Sequence, residues 1–570
     1  MIRIYPSPKA YTLDQDKARD PEKTGEWAKE ALISGGRVLE DLIRVDSGRL
    51  GIPVYMSVCT REAGKILPAS KQMGKGASPE QARASALMEL AERYSFFCFW
   101  EQGGRTMTWT EAENEFGRCL MPLRLIAASV GNDLPEEEIR RIMDLVPWRF
   151  APCTNLYSEA EYHAPVDWFR MLNEFNGSSA GNTAMESIFQ GACELVERHV
   201  CARISANDLV TPGIDPSSFN PGPLQELFFK FTAKGIKVIL KDFSLDMPVP
   251  TVGAAAYDPK TFPDKSEIVF TAGTAASPDK AAIRALTEVA QLAGDFESGR
   301  PYEPSGLPKL AGLEELDWLR KGGQRPLNAL PDISSTDFGE ELRALICRLG
   351  EKGFYLHVLE LTCPELNIPA HYNFVPGFEF RERSPSAGVG MFTAKKIAAE
   401  LPVGRARQAL NELARIRPSA PYIPFQSGMI ALREGDTKQA QTDFLNAAEL
   451  QENPQEQALA LFYAGYAQSL EGNWPGVREK VTRALDLDCE VKEYHNLLGV
   501  ALFKEKKFSR AAVHFQKALE LDSASAVDMA NLGLCHKNMD AREEAISCLS
   551  SALQIDPGLE FAHKELLELL

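Results

Sequence analysis

The chain lacks any uninterrupted apolar run approaching the ~20 residues that a membrane-spanning helix requires. Its opening residues, MIRIYPSPKAYTLDQDK, turn polar within ten positions and show no cationic segment followed by an apolar core. The two absences together predict a cytoplasmic protein with no membrane partner. Cysteine occurs eleven times, an odd number, and never as Cys-x-x-Cys. That argues against a disulfide framework and a structural zinc, and leaves reduced, mostly buried thiols. Basic residues are also short, 62 against 79 acidic ones, for a net charge of −17. So acidic a chain is not built around a basic face for nucleic acid, and an electrostatically steered partner would itself be basic. Glycine turns occur, but none has the spacing of a Walker or dinucleotide-binding loop. At 570 residues there is room for about three to four units of roughly 150 residues each.

What is present is charge in an unusual setting. Ser85-x-x-x-Glu89-x-x-Glu92-Arg93, Glu194-x-x-Glu197-Arg198 and Arg284-x-x-x-Glu288-x-x-Gln291 each fall in a stretch with helical period. Residues three or four apart on a helix are stacked neighbours, so each Glu-x-x-Glu aims two carboxylates at one region and sets an arginine beside them. Such a run is ordinarily a solvated face. The flanks argue otherwise: residues 82–99 read ARASALMELAERYSFFCF, and 184–200 and 281–293 are equally rich in Ala, Ile, Leu and Val. Charge in so apolar a helix is paired or bound to something. Oxygen ligands of this kind suit Mg2+, and arginines suit the phosphates that accompany it. Each helix also follows a glycine-bearing turn, at Gly74-Lys75-Gly76, at 176–183 and at Gly273, whose N–H groups can hold a phosphate or ribose.

The runs GKGASPEQARASALMELAERYSFF, NGSSAGNTAMESIFQGACELVERH and AGTAASPDKAAIRALTEVAQ, in this order, resemble the YcaO superfamily over approximately residues 1–400. The resemblance implies an ATP- and Mg2+-dependent enzyme that activates a peptide-bond carbonyl oxygen by phosphorylation. It implies that Glu89, Glu92, Glu194 and Glu197 bind Mg2+, joined by Glu288, and that Arg198, Arg284 and Glu288 act as catalytic contacts to phosphate and metal. It places Ser179 and Asn182 against the nucleoside, and Lys17 and Thr24, from Lys17-x-x-x-Pro-Glu-x-Thr24, at the nucleotide. Many members carry Asp after the second motif's arginine, where this chain has His199, read as a helix-end histidine without chemistry. Cys193, beside Glu194, is read as a core thiol.

The chemistry explains the residue types. An amide oxygen is a very poor leaving group until it is phosphorylated; sulfur or a ring atom can then replace it. Four to five carboxylates hold enough Mg2+ to screen a triphosphate, and arginines stabilise the transferring phosphoryl group, so catalysis is mostly positioning and electrostatics. No general base is identified. The products implied are a thioamide (thioamide synthetase) or an azoline (cyclodehydratase). The chain has no thiazoline-type partner domain ahead of the motifs, and it ends Glu-Leu-Leu-Glu-Leu-Leu rather than proline-rich. Both points tilt the expectation toward sulfur insertion, with a peptide or protein substrate and a TfuA-like or sulfur-carrying partner.

The C-terminal quarter repeats. Gly428, Gly465, Gly499 and Gly533 are separated by 37, 34 and 34 residues, with small residues twelve and nineteen further on: Ala440 and Ala447, Val477 and Ala484, Ala511 and Ala518, Ala545 and Ala552. This is the tetratricopeptide signature, helix hairpins that pack closely through small residues. About four repeats with a capping helix are expected over 418–570, docking a protein segment, or alternatively serving stability or homodimerisation. Residues 401–417 are expected as the connection. The expected architecture is thus an α/β (α+β) ATP-binding domain over 1–400, with strands near 53–59, 237–240, 251–256 and 355–359, followed by an all-α solenoid. The alternative function is a nucleotide-binding repeat adaptor without turnover.

Overall fold

The computed structural model describes residues 1–131, 134–299, 302, 306–381, 383, 387–522 and 524–570. Two compact units emerge, the first from Met1–Glu136 with Pro147–Ser384 and the second from Glu137–Val146 with Pro385–Leu570. The first is mixed α and β; the second is helical, as the sequence pattern leads one to expect.

Among its described residues the first unit holds three sheets. Leu39–Arg44, Val54–Cys59 and Lys71–Lys75 form an antiparallel set of three. A five-stranded sheet runs in the order Val269–Thr274, Thr251–Tyr257, Lys237–Asp242, Gly213–Asp215, Gln324–Pro326, with only the last pair parallel. A six-stranded sheet runs Arg105–Met107, Trp148–Asn155, His357–Glu360, Ala370–Phe374, Ser178–Ala180, with Ala160–Pro165 also paired to Trp148–Asn155. The strands expected from apolar runs are found in place as Val54–Cys59, Lys237–Asp242, Thr251–Tyr257 and His357–Glu360. Ala254, Ala256, Val269, Ala285 and Leu286 fill the core beneath the five-stranded sheet.

The plan behind the sheets is a threefold repetition. Lys71–Lys75, Ser178–Ala180 and Val269–Thr274 each lie at one end of their own sheet, and each leads through a short turn into a long helix: Pro79–Gln102, Ala184–Asn207 and Pro278–Ala293. Ser78, Thr183 and Ser277 cap these helices by accepting from the N–H of Gln81, Glu186 and Lys280. Pro79 and Pro278 occupy first helical positions, where the missing N–H costs nothing. The first helix packs on the strand preceding the second, the second on the strand preceding the third, and the third on the strand preceding the first. The three strand–helix units therefore close into a ring.

In the second unit the repeats form four hairpins, Tyr422–Glu434 with Thr437–Leu450, Pro454–Leu470 with Trp474–Leu487, Lys492–Lys504 with Phe508–Leu521, and Ala526–Asn538 with Arg542–Ile555, before the final helix Glu560–Leu569. A Cβ on Gly428, Gly465, Gly499 or Gly533 would lie within 3 Å of Phe444, Val481, Phe515 or Leu549. The repeat period in the sequence is thus the period of one close helix crossing. Residues 401–417, expected as a connection, instead contain the helix Val403–Ile416, which buries Ala406, Leu410 and Leu413. Arg433 donates to Leu401 O at 2.9 Å, and Arg417 pairs with Glu138 at 3.1 Å within the same unit. An amphipathic stretch with a face to bury packs rather than spans. Within 299–309, which its prolines and glycines mark as a loop, residues 300, 301 and 303–305 lie outside the described residues.

Candidate active site

The ring encloses a cavity of about 340 Å3. Its wall includes all five motif glutamates, Glu89, Glu92, Glu194, Glu197 and Glu288, and the cations Lys17, Lys75, Arg93, Arg198 and Arg284. The size is in the range of small-molecule sites. The lining is unusually charged.

The carboxylates are not left bare. Arg93 Nη2 donates to Glu89 Oε1 at 2.8 Å and Nη1 lies 3.3 Å from Glu92, while its guanidinium stacks over Phe175 at 4.0 Å. Ser178 Oγ donates to Glu92 Oε1 at 2.5 Å. Arg198 approaches Glu194 at 3.5 Å and donates from Nε to Asn176 Oδ1 at 3.2 Å; the Gly177 N–H also donates to Glu194 at 3.1 Å. Lys75, the last residue of its strand, makes an ion pair with Glu288 of the third helix. Burial, then the Arg284 charge, presses the Lys75 ammonium down to about 7, against the opposing pull of Glu197 and Glu89. Burial pushes the Glu92 carboxyl well up, reinforced by the Glu89 charge. Burial likewise raises Glu197, against the pull of Arg198 and Arg284.

Of the residues expected at the nucleotide, Ser179 and Lys17 line the cavity. Thr24 and Asn182 are not on its wall: Thr24 Oγ1 donates to Asn182 Oδ1 at 3.0 Å, and Asn182 Nδ2 to Glu186 at 3.1 Å. Glu186 in turn accepts from Ala18 N at 3.0 Å and lies 3.6 Å from Lys17 Nζ. The pair is a buried bracket for the segment that carries Lys17. His199 is a core residue, stacked on Phe378 at 4.5 Å, accepting from Glu379 N at 3.0 Å and pushed down to about 4 by burial. Cys193 borders a recess of about 30 Å3 that shares Asp16 and Arg284 with the main cavity, and burial lifts its thiol to about 12.

Sequence reasoning passed over Lys75, taken only as part of a glycine turn, and Gln81, Gln190 and Ser178, all on the wall. Their signal was positional: each lies within one or two helical turns of a motif or at the strand end feeding it. Gln81 is 4% exposed and its Oε1 has no hydrogen-bond partner.

As they stand, no three His, Cys, Asp or Glu side chains among the described residues are gathered closely enough to hold one metal ion. The donor set nevertheless fits Mg2+: it is all oxygen, multiply charged and open to a cavity flanked by arginines.

The family model described as "YcaO cyclodehydratase, ATP- and Mg2+-binding" matches residues 73–379, and tetratricopeptide models match 492–525 and 529–559. A protein of Methanothermobacter thermautotrophicus is 31% identical over 342 residues, covering 58% of this chain and 87% of that one. A protein encoded in the tfuA 3′ region of Rhizobium leguminosarum bv. trifolii is 30% identical over 359 residues, covering 58% and 81%. Among solved structures, a heterocyclase in complex with substrate and cofactor superposes with a TM-score of 0.52 at 18% identity, over 66% of this chain and 54% of its own, a likeness of fold. No helix among the described residues is long and apolar enough to cross a membrane.

Proposed function

The chain belongs to the YcaO family, described as ATP- and Mg2+-binding, and on that premise we propose that it phosphorylates a peptide-bond carbonyl oxygen so that sulfur can replace it. The observation that carries the reading is the gathering of all five motif glutamates and all three motif arginines, Arg93, Arg198 and Arg284, on one cavity. Glu89, Glu92, Glu194, Glu197 and Glu288 are the groups that would hold Mg2+. ATP bound with it supplies an electrophilic phosphoryl group whose charge is screened. On the same wall, Arg198 and Arg284 would stabilise charge on that group, and Lys17 and Ser179 would seat the nucleoside side. Thr24, Asn182 and Glu186 orient the Lys17 segment from behind.

In the overall step the amide oxygen forms a bond to the γ-phosphorus and ADP leaves. Hydrosulfide then adds to the carbon, and phosphate departs carrying the former amide oxygen. Replacing hydrosulfide by a neighbouring side-chain thiol or hydroxyl gives the azoline. Sulfur insertion is favoured because a relative sharing 30% identity is encoded beside tfuA. The helical repeats would dock the protein substrate or a sulfur-donating partner. The test is calorimetry of Mg·ATP with the protein and with Glu194→Ala, followed by a mass-spectrometric search for peptides 16 Da heavier, the exchange of oxygen for sulfur. Binding that needs Mg2+ and is lost in the variant supports the reading; binding without any modified peptide turns it toward the nucleotide-binding repeat adaptor, and a folded protein that binds no nucleotide overturns it.

A further inference from the structure

Two of the cation–carboxylate pairings in the cavity lie within a single helix. Arg93 holds Glu89, and Arg198 holds Glu194, each four residues back on its own helix. Both partners of each pair are therefore carried by one element. The Lys75–Glu288 pair differs, because it joins the strand of the first strand–helix unit to the helix of the third. It is the one ion pair of Lys75 among the described residues, and both side chains are largely buried, 24% and 17% exposed. Lys75 is also held in direction: Gly74 lies so close to the helix backbone at Ala86 that no side chain would fit there, which fixes the strand end from which Lys75 projects into the cavity.

From this geometry we infer that Lys75 is a resident counter-ion that occupies Glu288 until nucleotide arrives, so that Mg2+ enters the site together with ATP and not alone. The inference rests on the ATP and Mg2+ reading and deepens it. Bare Mg2+ would have to displace an ammonium from Glu288 and leave it unpaired in a half-buried, arginine-rich cavity. Mg2+ arriving with a triphosphate brings a net negative charge that can take up the released ammonium. Lys75 is thus a positioning residue acting through Glu288, and it makes metal binding conditional on nucleotide.

The full-length wild-type protein is titrated calorimetrically with MgCl2 alone and with MgCl2 plus a non-hydrolysable ATP analogue. Saturable heat is expected only with the analogue. Lys75→Met is expected to bind MgCl2 alone about tenfold or more tightly than wild type, the equivalent of one charge-assisted hydrogen bond removed from competition. Its melting temperature should be lowered without Mg2+ and restored by it. Lys75→Arg, which keeps the charge, should behave as wild type; a lysine with a merely structural role would not change Mg2+ affinity in this direction. Wild type binding MgCl2 alone as tightly as with the analogue overturns the inference while leaving the ATP reading intact, and this titration decides even if Lys75→Met fails to fold. Equal nucleotide-free Mg2+ affinity in wild type and Lys75→Met also overturns it. A wild-type protein that binds neither ligand overturns both.

Discussion

Glu92 and Glu197 are carboxylates that the fold makes costly to ionise, since burial raises both and Glu89 adds to the effect on Glu92. Mg2+ must replace the proton that burial favours. Mg·ATP affinity should therefore rise with pH through the raised carboxyl range and fall as pH drops toward the ordinary glutamate value of 4.5, which calorimetry from pH 8 to 5 would check. The stability linkage has the opposite sense: the folded state holds these protons to higher pH than the unfolded one, so their contribution is greatest below 4.5 and is lost as pH rises through the raised values. Glu197→Gln keeps the shape and removes the charge. It should weaken Mg·ATP binding by roughly a hundredfold, about 2.7 kcal/mol, with the circular dichroism spectrum unchanged. The glutamates could be read from sequence because helical spacing alone puts them on one face. Thr24 and Asn182 could not be placed, because whether a polar side chain faces a cavity or backs its wall depends on neighbours more than 150 residues away. Lys75 escaped notice for the same reason, its partner Glu288 being on another element.

At the scale of elements, the strand–turn–helix pattern carries the site, and the sequence announces it through Ser-Pro caps at 78–79 and 277–278. The repeat hairpins depend on a single close approach each. Gly499→Val would drive a branched side chain into Phe515, an overpacking cost of about 1–3 kcal/mol. Hydrogen exchange should then accelerate in Lys492–Lys504 and Phe508–Leu521 while the first unit keeps its protection. The same hairpin holds a histidine pair, His495 Nδ1 and His514 Nδ1 at 3.2 Å, which can share one proton but not two. Burial, with the charges of His495 and Arg510 behind it, pushes His514 down to about 4. A histidine depressed in the folded state stabilises above its unfolded value of 6.5 and loses that contribution as pH falls toward 4. Exchange in this hairpin should speed up over that window, and His514→Phe should flatten the dependence.

Across the whole molecule, every residue lining the cavity belongs to the first unit. Removing repeats should therefore spare nucleotide binding. Where the cut is made matters, because Gly390 lies against Tyr422, and Arg433 holds the carbonyl of Leu401. A chain ending at 417 would strip these helices of their partner. One ending at 451 keeps the first hairpin on them and removes three. We expect the 1–451 protein to bind Mg·ATP within about twofold of wild type, well under the 1.4 kcal/mol that a tenfold change represents, with loss of turnover on a full-length protein substrate. Turnover at the wild-type rate would remove docking from the role of the repeats.

The sequence by itself determined the two kinds of architecture, the three helices and their glutamates, and the repeat period, because periodicity and capping are local properties of a chain. Only the tertiary structure decided that the three strand–helix units close on one another, that Lys75 meets Glu288 across the ring, that Thr24 and Asn182 support the wall from behind, and that 401–417 packs as a helix. These outcomes turn on which apolar faces find each other over hundreds of residues, and no local spacing encodes that.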